Sequence, residues 1–453
     1  MKKQTIIILI FLIPAFAVSL KAETGPAFAI IKCRIHPVVG AVVEDGCIVL
    51  RDGLIETLGP RTKVKVPADA SVFDASGLFA YPGLIDALSS DFFSQPKEES
   101  EPSPNAGGLQ RRIDDGKHPG LSAFENLKAS KNTVKQRYKD GFTSILVAPQ
   151  KGIFAGQSVL LNIYEKNFEQ LVVKNPVALH VSFITASGVY PSSVMGTMAL
   201  LRQSILDARH YSMHKSLYEK KGRNIKRPEY DPFLEKLVPY AVEGKRIFFN
   251  CQDLEDIKRA LRLIKEYNIN GVICGAVEAW RVAGMLKESG VPLIVSVGFT
   301  PPRTSKYALQ GEKMKEKAEK EILPANPARL YKEGISFALT SYGLKKKSEL
   351  KKNVKLAIEA GLPKEEAIRA WTIHPARYIG VESVLGSIEP GKIANIILVT
   401  EELFEKDCQI ARVYVDGIAI EMEVKPKKTS EKKETKDRTP VRKQPVKENN
   451  QNV

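Results

Sequence analysis

Six histidines and five cysteines are the side chains of this 453-residue chain best suited to holding a metal or attacking a substrate. His210 and His214 stand four apart in Ala208-Arg209-His210-Tyr211-Ser212-Met213-His214. That spacing puts two imidazoles on one helical face and suits chelation. No glutamate lies between them to serve as a base, so the pair also reads as a solvated helix face. His180 sits in a β-branched run, residues 177–183, and either faces a pocket or is a packed, hydrogen-bonded ring. His36 and His374 read as structural, and His118 as part of a flexible loop. Cys274 ends a short apolar run and becomes a nucleophile only where a base lowers its pKa. No such partner is legible in the sequence. The other cysteines are Cys33, Cys47, Cys251 and Cys408. Their odd total and irregular spacing match no disulfide scaffold, so they read mostly as structural thiols.

The elements that must position these groups change character along the chain. Residues 27–33, 46–50 and 54–58 read as strands, with Arg51-Asp52-Gly53 as the turn between the last two. From about Tyr81 the rhythm becomes apolar strand, helix, apolar strand. Candidate strands cover 84–88, 144–148, 177–183, 247–251, 272–274, 293–297 and 335–340. They are apolar throughout, as strands of a parallel sheet covered on both faces must be. Ile257, Leu261 and Ile264 share one helical face, as do Leu350, Val354, Ala357 and Ile358, and Gly361 suits the end of the second helix. Repeated βα units of this number imply an α/β fold: a distorted (β/α)8 TIM-type barrel. Strands return at 394–399, 411–415 and 418–422, and would complete a small β-sandwich domain formed by both ends of the chain. Two stretches break the rhythm: 95–120 reads as a long loop after the first barrel strand, and 215–232 as a basic, polar surface segment.

The ends of the chain carry their own signals. Met1, Lys2 and Lys3 precede an apolar run from Ile6 to Ile13 and then small residues, the pattern of a secretory signal over residues 1–22. Cleavage falls after Ala17 or Ala22, and the apolar run is short for a membrane span, which needs roughly 20 residues. The expected compartment is periplasmic or extracellular. Of the formal charge of +16, residues 425–453 at the other end contribute +6, with ten Lys/Arg against four Asp/Glu. With almost nothing apolar to bury, that tail reads as disordered and solvated. Export argues against nucleic acid as a partner, and the tail suggests membrane contact only weakly. The expected organisation is therefore a signal at 1–22, the β-sandwich domain at 23–80 and 379–424, the barrel at 81–378 and a basic tail at 425–453.

Two motifs resemble a known family. Asp74-Ala75-Ser76-Gly77-Leu78-Phe79-Ala80-Tyr81-Pro82-Gly83-Leu84-Ile85-Asp86 is similar to the segment by which amidohydrolase-superfamily proteins enter their barrel. Thr372-Ile373-His374-Pro375-Ala376-Arg377 and Leu385-Gly386-Ser387-Ile388-Glu389-Pro390-Gly391-Lys392-Ile393-Ala394-Asn395 are similar to the segments by which they leave it. The likeness is to the imidazolonepropionase-like branch and spans about 28–422. Pro82-Gly83 turns the chain into the first barrel strand, and Pro375 is expected to end the helix that opens near Pro363.

The resemblance implies hydrolysis of carbon–nitrogen bonds other than peptide bonds, with zinc or another divalent metal activating water. It places the ligands at the C-terminal mouth of the barrel: His-x-His on strand one, histidines on strands five and six, and aspartate on strand eight. Here those positions carry Leu88 and Ser90, Asn250, Cys274, and Ser341. One thiol with neutral oxygens is a poor donor set for a divalent ion, so no cofactor is expected. Cys274 and His180 remain as weak candidates for catalysis. The reading that follows is a metal-free member with a binding or assembly role, holding a small molecule through Ser90, His180, Asn250 and Ser341. The alternative is a hydrolase of cyclic-amide-like bonds acting through an atypical site. Self-association or pairing with an intact homologue is a further expectation. Gly152-Ile153-Phe154-Ala155-Gly156-Gln157-Ser158 is similar to a glycine-rich loop of exported relatives, lining a pocket or interface, or is a plain hairpin.

Overall fold

In a computed structural model, the described residues run from 25 to 425, apart from 97–115, 129, 165–170, 186–190, 300–310, 312 and 315–320. The expected signal segment at 1–22, the basic tail beyond Lys425 and most of the 95–120 stretch lie outside them. Among the described residues no helix is long and apolar enough to cross a membrane.

The N-terminal strands are β1 (Phe28–Ile35), β2 (Val43–Arg51), β3 (Leu54–Pro60), β4 (Ser71–Asp74) and β5 (Phe79–Pro82). The first strand pairs antiparallel with β2 on one side; on the other, its two halves pair in parallel with β4 and β5. The barrel strands follow: β6 (Leu84–Ser89), β7 (Phe142–Val147), β8 (Phe154–Gln157), β9 (Val159–Asn162), β10 (Val172–Lys174), β11 (Leu179–Ser182), β12 (Ile247–Cys251), β13 (Gly271–Gly275), β14 (Leu293–Ser296) and β15 (Ala338–Thr340). The C-terminal strands β16 (Ile396–Val399), β17 (Ile410–Val415) and β18 (Ile418–Glu421) join the N-terminal ones in a single eight-stranded sheet. The fold is thus a distorted (β/α)8 barrel with a small β-sandwich domain made by both chain ends.

The distortion has a definite place. Parallel ladders run β6–β7 and β11 through β15. Between them the segment 154–162 runs the other way: its second half, β9, pairs antiparallel with β7, and its first half, β8, pairs antiparallel with β11. Ser158 makes the crossing, donating its N–H to Ala178 O at 2.9 Å. The glycine-rich segment is therefore a barrel strand rather than a loop or hairpin. Gly156, at φ +127°, is required there because a Cβ would meet Leu121 O at 2.4 Å. His118 is anchored to the same strand, its N–H donating to Phe154 O at 2.9 Å, so it does not sit in a free loop.

Alternation along the strands divides the core, since successive side chains point to opposite faces. Phe249, Ile273, Val295 and Leu339 pack outward into the larger apolar cluster. Leu88, Phe248, Val272, Cys274, Ile294 and Ala338 pack together in a second cluster. The outer cluster is covered by helices α1 (Lys131–Lys139), α2 (Val194–Lys221), α3 (Pro232–Ala241), α4 (Leu254–Tyr267), α5 (Ala283–Ser289), α6 (Asn326–Lys332), α7 (Leu350–Glu359) and α8 (Lys364–Trp371), whereas α9 (Ile373–Ile379) packs Ala376, Tyr378 and Ile379 into the second cluster. Capping follows from the sequence: Asp253 accepts the Asp256 N–H at 2.9 Å to open α4. Residues 215–221 continue α2 and lie at the surface, as their polar, basic character suggests. One expectation is corrected. Pro375 does not end a helix: Thr372 breaks the chain after α8, and Pro375 occupies the first turn of α9, where its missing N–H has no intrahelical acceptor to lose.

Candidate functional site

The C-terminal strand ends bring the predicted positions into register. Ser182 on β11 pairs with Asn250 on β12, Asn250 with Cys274 on β13, and Cys274 with Ile294 on β14. One layer deeper, His180 pairs with Phe248 and Phe248 with Val272. His180, Asn250 and Cys274 thus stand on three adjacent strands. Gly275 ends β13 at φ +91°, where a Cβ would meet Cys251 O at 2.4 Å. This contact explains why glycine follows Cys274.

The chemistry of these groups is set by burial. His180 is fully buried and lies against Phe248, with ring centroids 5.2 Å apart. Burial penalises the imidazolium and draws the His180 pKa down to about 4, against a smaller opposing effect from Asn250. Neither ring nitrogen of His180, nor Asn250 Oδ1, is in hydrogen-bonding geometry with a partner. Burial pushes the Cys274 thiol well above its ordinary range, so the thiolate a nucleophile needs is disfavoured. Leu88 is packed with Cys274 and Phe248 in the second cluster, while Ser90 is exposed. Among the described residues, no three His, Cys, Asp or Glu side chains are placed to hold a metal ion.

Ser341 belongs to a different assembly, one that sequence reading missed. Its hydroxyl donates to Asp86 Oδ2, its N–H donates to Asp86 Oδ1 at 3.0 Å, and its Oγ accepts from Arg137 Nη2 at 3.0 Å. Thr340 Oγ1 lies 2.8 Å from Asp86 Oδ1 and 2.6 Å from Leu88 O, drawing β15 onto β6. Arg137 is only 2% exposed and reaches Asp86 Oδ2 at 3.1 Å, Asp91 Oδ2 at 2.7 Å and Ser89 Oγ at 3.2 Å. Its guanidinium also lies 5.1 Å from the Phe142 ring centroid, and Lys347 pairs with the far oxygen of Asp91. Ser341 is therefore committed to a buried charge network joining the first and last barrel strands. Asp86 lies within the 74–86 motif, but its partner Arg137 is 51 positions away on an ordinary amphipathic helix.

The remaining histidines are placed much as their neighbourhoods suggest. His374 Nδ1 lies 2.8 Å from Phe337 O, and His36 stacks on Tyr81 with ring centroids 4.5 Å apart. His210 and His214 lie on α2 with ring centroids 6.1 Å apart, and His214 Nε2 contacts Lys226 O at 2.9 Å. All five cysteines are free thiols.

Residues 253–420 match the amidohydrolase family. An amidohydrolase from Thermotoga maritima has a similar structure, with TM-score 0.72 and 22% identity, covering 87% of this chain and 99% of that one. The fold is that of the amidohydrolase superfamily. Imidazolonepropionase of Pseudomonas putida is 22% identical over 393 residues, covering 79% of this chain and 88% of that enzyme. Adenine deaminase 2 of Bradyrhizobium diazoefficiens is 40% identical over 68 residues. That match spans 15% of this chain and only 10% of the deaminase, about a tenth of the relative's length. The element order fits that fold: a barrel inserted into a sheet that both chain ends build.

Proposed function

We propose that this chain is an exported, metal-free member of the amidohydrolase superfamily that acts by binding or assembly. One observation carries the reading: the positions that the resemblance assigns to metal ligands hold Leu88, Ser90, Asn250, Cys274 and Ser341. Leu88 has no donor atom, Asn250 offers a neutral amide, and the Cys274 thiol is kept protonated by burial. Ser341 is already committed to Asp86 and Arg137. Divalent ions that activate water are held by imidazole, carboxylate or thiolate groups, and this set does not fit one. The binding role rests on the ring nitrogens of His180 and on Asn250 Oδ1, buried polar atoms that could offer hydrogen bonds to a small polar ligand in the mouth. Export rests on residues 1–22, which lie outside the described residues, and self-association or pairing with an intact homologue is part of the same proposal.

Full-length protein purified without chelators and analysed for metals by mass spectrometry is expected to carry well under one zinc, iron or manganese per chain. A stoichiometric ion that disappears in the Asn250→Ala variant would overturn the reading. The alternative, a hydrolase of cyclic carbon–nitrogen bonds, draws its support from the long match to imidazolonepropionase. It requires cleavage of a cyclic amide by pure protein that is lost in His180→Phe.

A further inference from the structure

A cavity of about 290 Å³ lies at the opposite end of the barrel from the mouth. Leu84 and Phe142, which open β6 and β7, form its floor together with Leu350 and Val354 of α7, Trp371 of α8 and Phe404. Its size is at the lower end of the roughly 300–1,000 Å³ typical of small-molecule sites. The walls are apolar, but four lysines stand at the rim: Lys351, Lys352, Lys355 and Lys406. Lys355 approaches Glu359 at 3.6 Å, whereas Lys351, Lys352 and Lys406 pair with no carboxylate among the described residues. The two acidic groups of the lining are already engaged. Asp140 accepts from Gln136 Nε2 at 3.1 Å, and Glu405 pairs with Lys364.

Trp371 lines the same cavity; it is 1% exposed and packs edge-on against Phe142, so its ring adds to the apolar wall. Apolar walls under a rim of unpaired ammonium groups are complementary to an apolar chain ending in an anion. We propose that this cavity binds a single-chain anionic amphiphile of the fatty-carboxylate class, its alkyl chain against Leu84, Phe142 and Trp371 and its carboxylate among Lys351, Lys352 and Lys406. The inference is independent of what occupies the barrel mouth.

Trp371 reports on the site directly, because the chain has only one other tryptophan, Trp280. The experiment uses the full chain carrying Trp280→Phe, titrated with 11-bromoundecanoate, whose bromine quenches indole fluorescence on contact, and with neutral 11-bromoundecanol. Saturable quenching is expected, with the carboxylate bound about tenfold more tightly than the alcohol, the effect of two or three partly screened ion pairs. Both lysines being exposed, Lys351→Glu/Lys352→Glu keeps the fold and should abolish that preference while leaving alcohol binding intact. Absence of quenching overturns the proposal, as does equal affinity for acid and alcohol, or a preference that survives the double variant. Quenching that appears only as a dimer dissociates would assign the cavity to a second copy and also overturn it.

Discussion

His180 makes the interior of this barrel sensitive to acid, and the size of the effect follows from its burial. The ring is fully enclosed and its pKa is drawn down from 6.5 to about 4. Between those values the unfolded chain binds a proton that the folded chain refuses, so stability contributed by the neutral ring is present above 6.5 and lost as pH falls towards 4. Linkage with these two values removes almost nothing at pH 7.5 and about 2 kcal/mol at pH 5. Buried carboxyls with raised pKa, among them Asp140, Asp256, Glu366 and Asp416, act in the opposite sense over the same range. The wild-type curve alone is therefore ambiguous, and the difference from a variant is the quantity to measure. Urea unfolding of wild type and His180→Phe at pH 7.5, 6 and 5 should give curves that diverge, with the wild type losing about 2 kcal/mol more than the variant. Should the variant itself be poorly folded, His180→Leu serves the same purpose, because only the slope with pH matters. Parallel curves would mean that the ring is protonated without penalty in the folded state, and the argument from burial would fail.

Three other outcomes follow from the structure. Arg137→Met leaves the buried Asp86 without its cation at the joint between β6 and β15 and should cost about 3–5 kcal/mol in urea unfolding, partly recovered by adding Asp86→Asn; a loss under about 1 kcal/mol would refute a structural role for the pair. Brief iodoacetamide labelling of native protein should modify the half-buried Cys408 well before the enclosed Cys274; rapid labelling of Cys274 would contradict its enclosed, protonated state. Asp416→Ala removes the acceptor of two 3.0 Å bonds from Asn162 Nδ2 and should loosen the β-domain from the barrel at a cost of about 1–3 kcal/mol, read by denaturation; an unchanged midpoint would show the contact to be idle.

Much of the architecture was legible in the residues because it depends on local pattern. Short β-branched runs separated by amphipathic stretches require a two-faced parallel sheet, and all seven barrel strands read from the sequence overlap observed ones. Leu350, Val354 and Ala357 form the buried stripe of α7, as their spacing requires. The eighth strand position escaped because 154–162 carries two functions in one segment, half pairing with each neighbour, and its glycine imitates a loop. Thr372 broke the helix where Pro375 was expected to, since proline's position in a turn, not its presence, decides whether a helix stops.

The candidate site divides along the same line. Residue identities determined that Leu88, Asn250 and Cys274, at the positions the resemblance assigns to metal donors, carry neither imidazole nor carboxylate, because a side chain's chemistry is a property of its type. Only the tertiary structure decided how such groups are engaged: His180 loses proton affinity through enclosure, and the Ser341 hydroxyl is taken up by Asp86 and Arg137. The same holds for the join of barrel and sheet, where Asn395 Nδ2 reaches Ser144 Oγ at 3.0 Å and Asn162 Oδ1 at 2.8 Å across more than 230 positions. Burial and long-range pairing depend on distances that a linear pattern does not encode, since desolvation and hydrogen bonding act through space between residues the chain brings together only on folding.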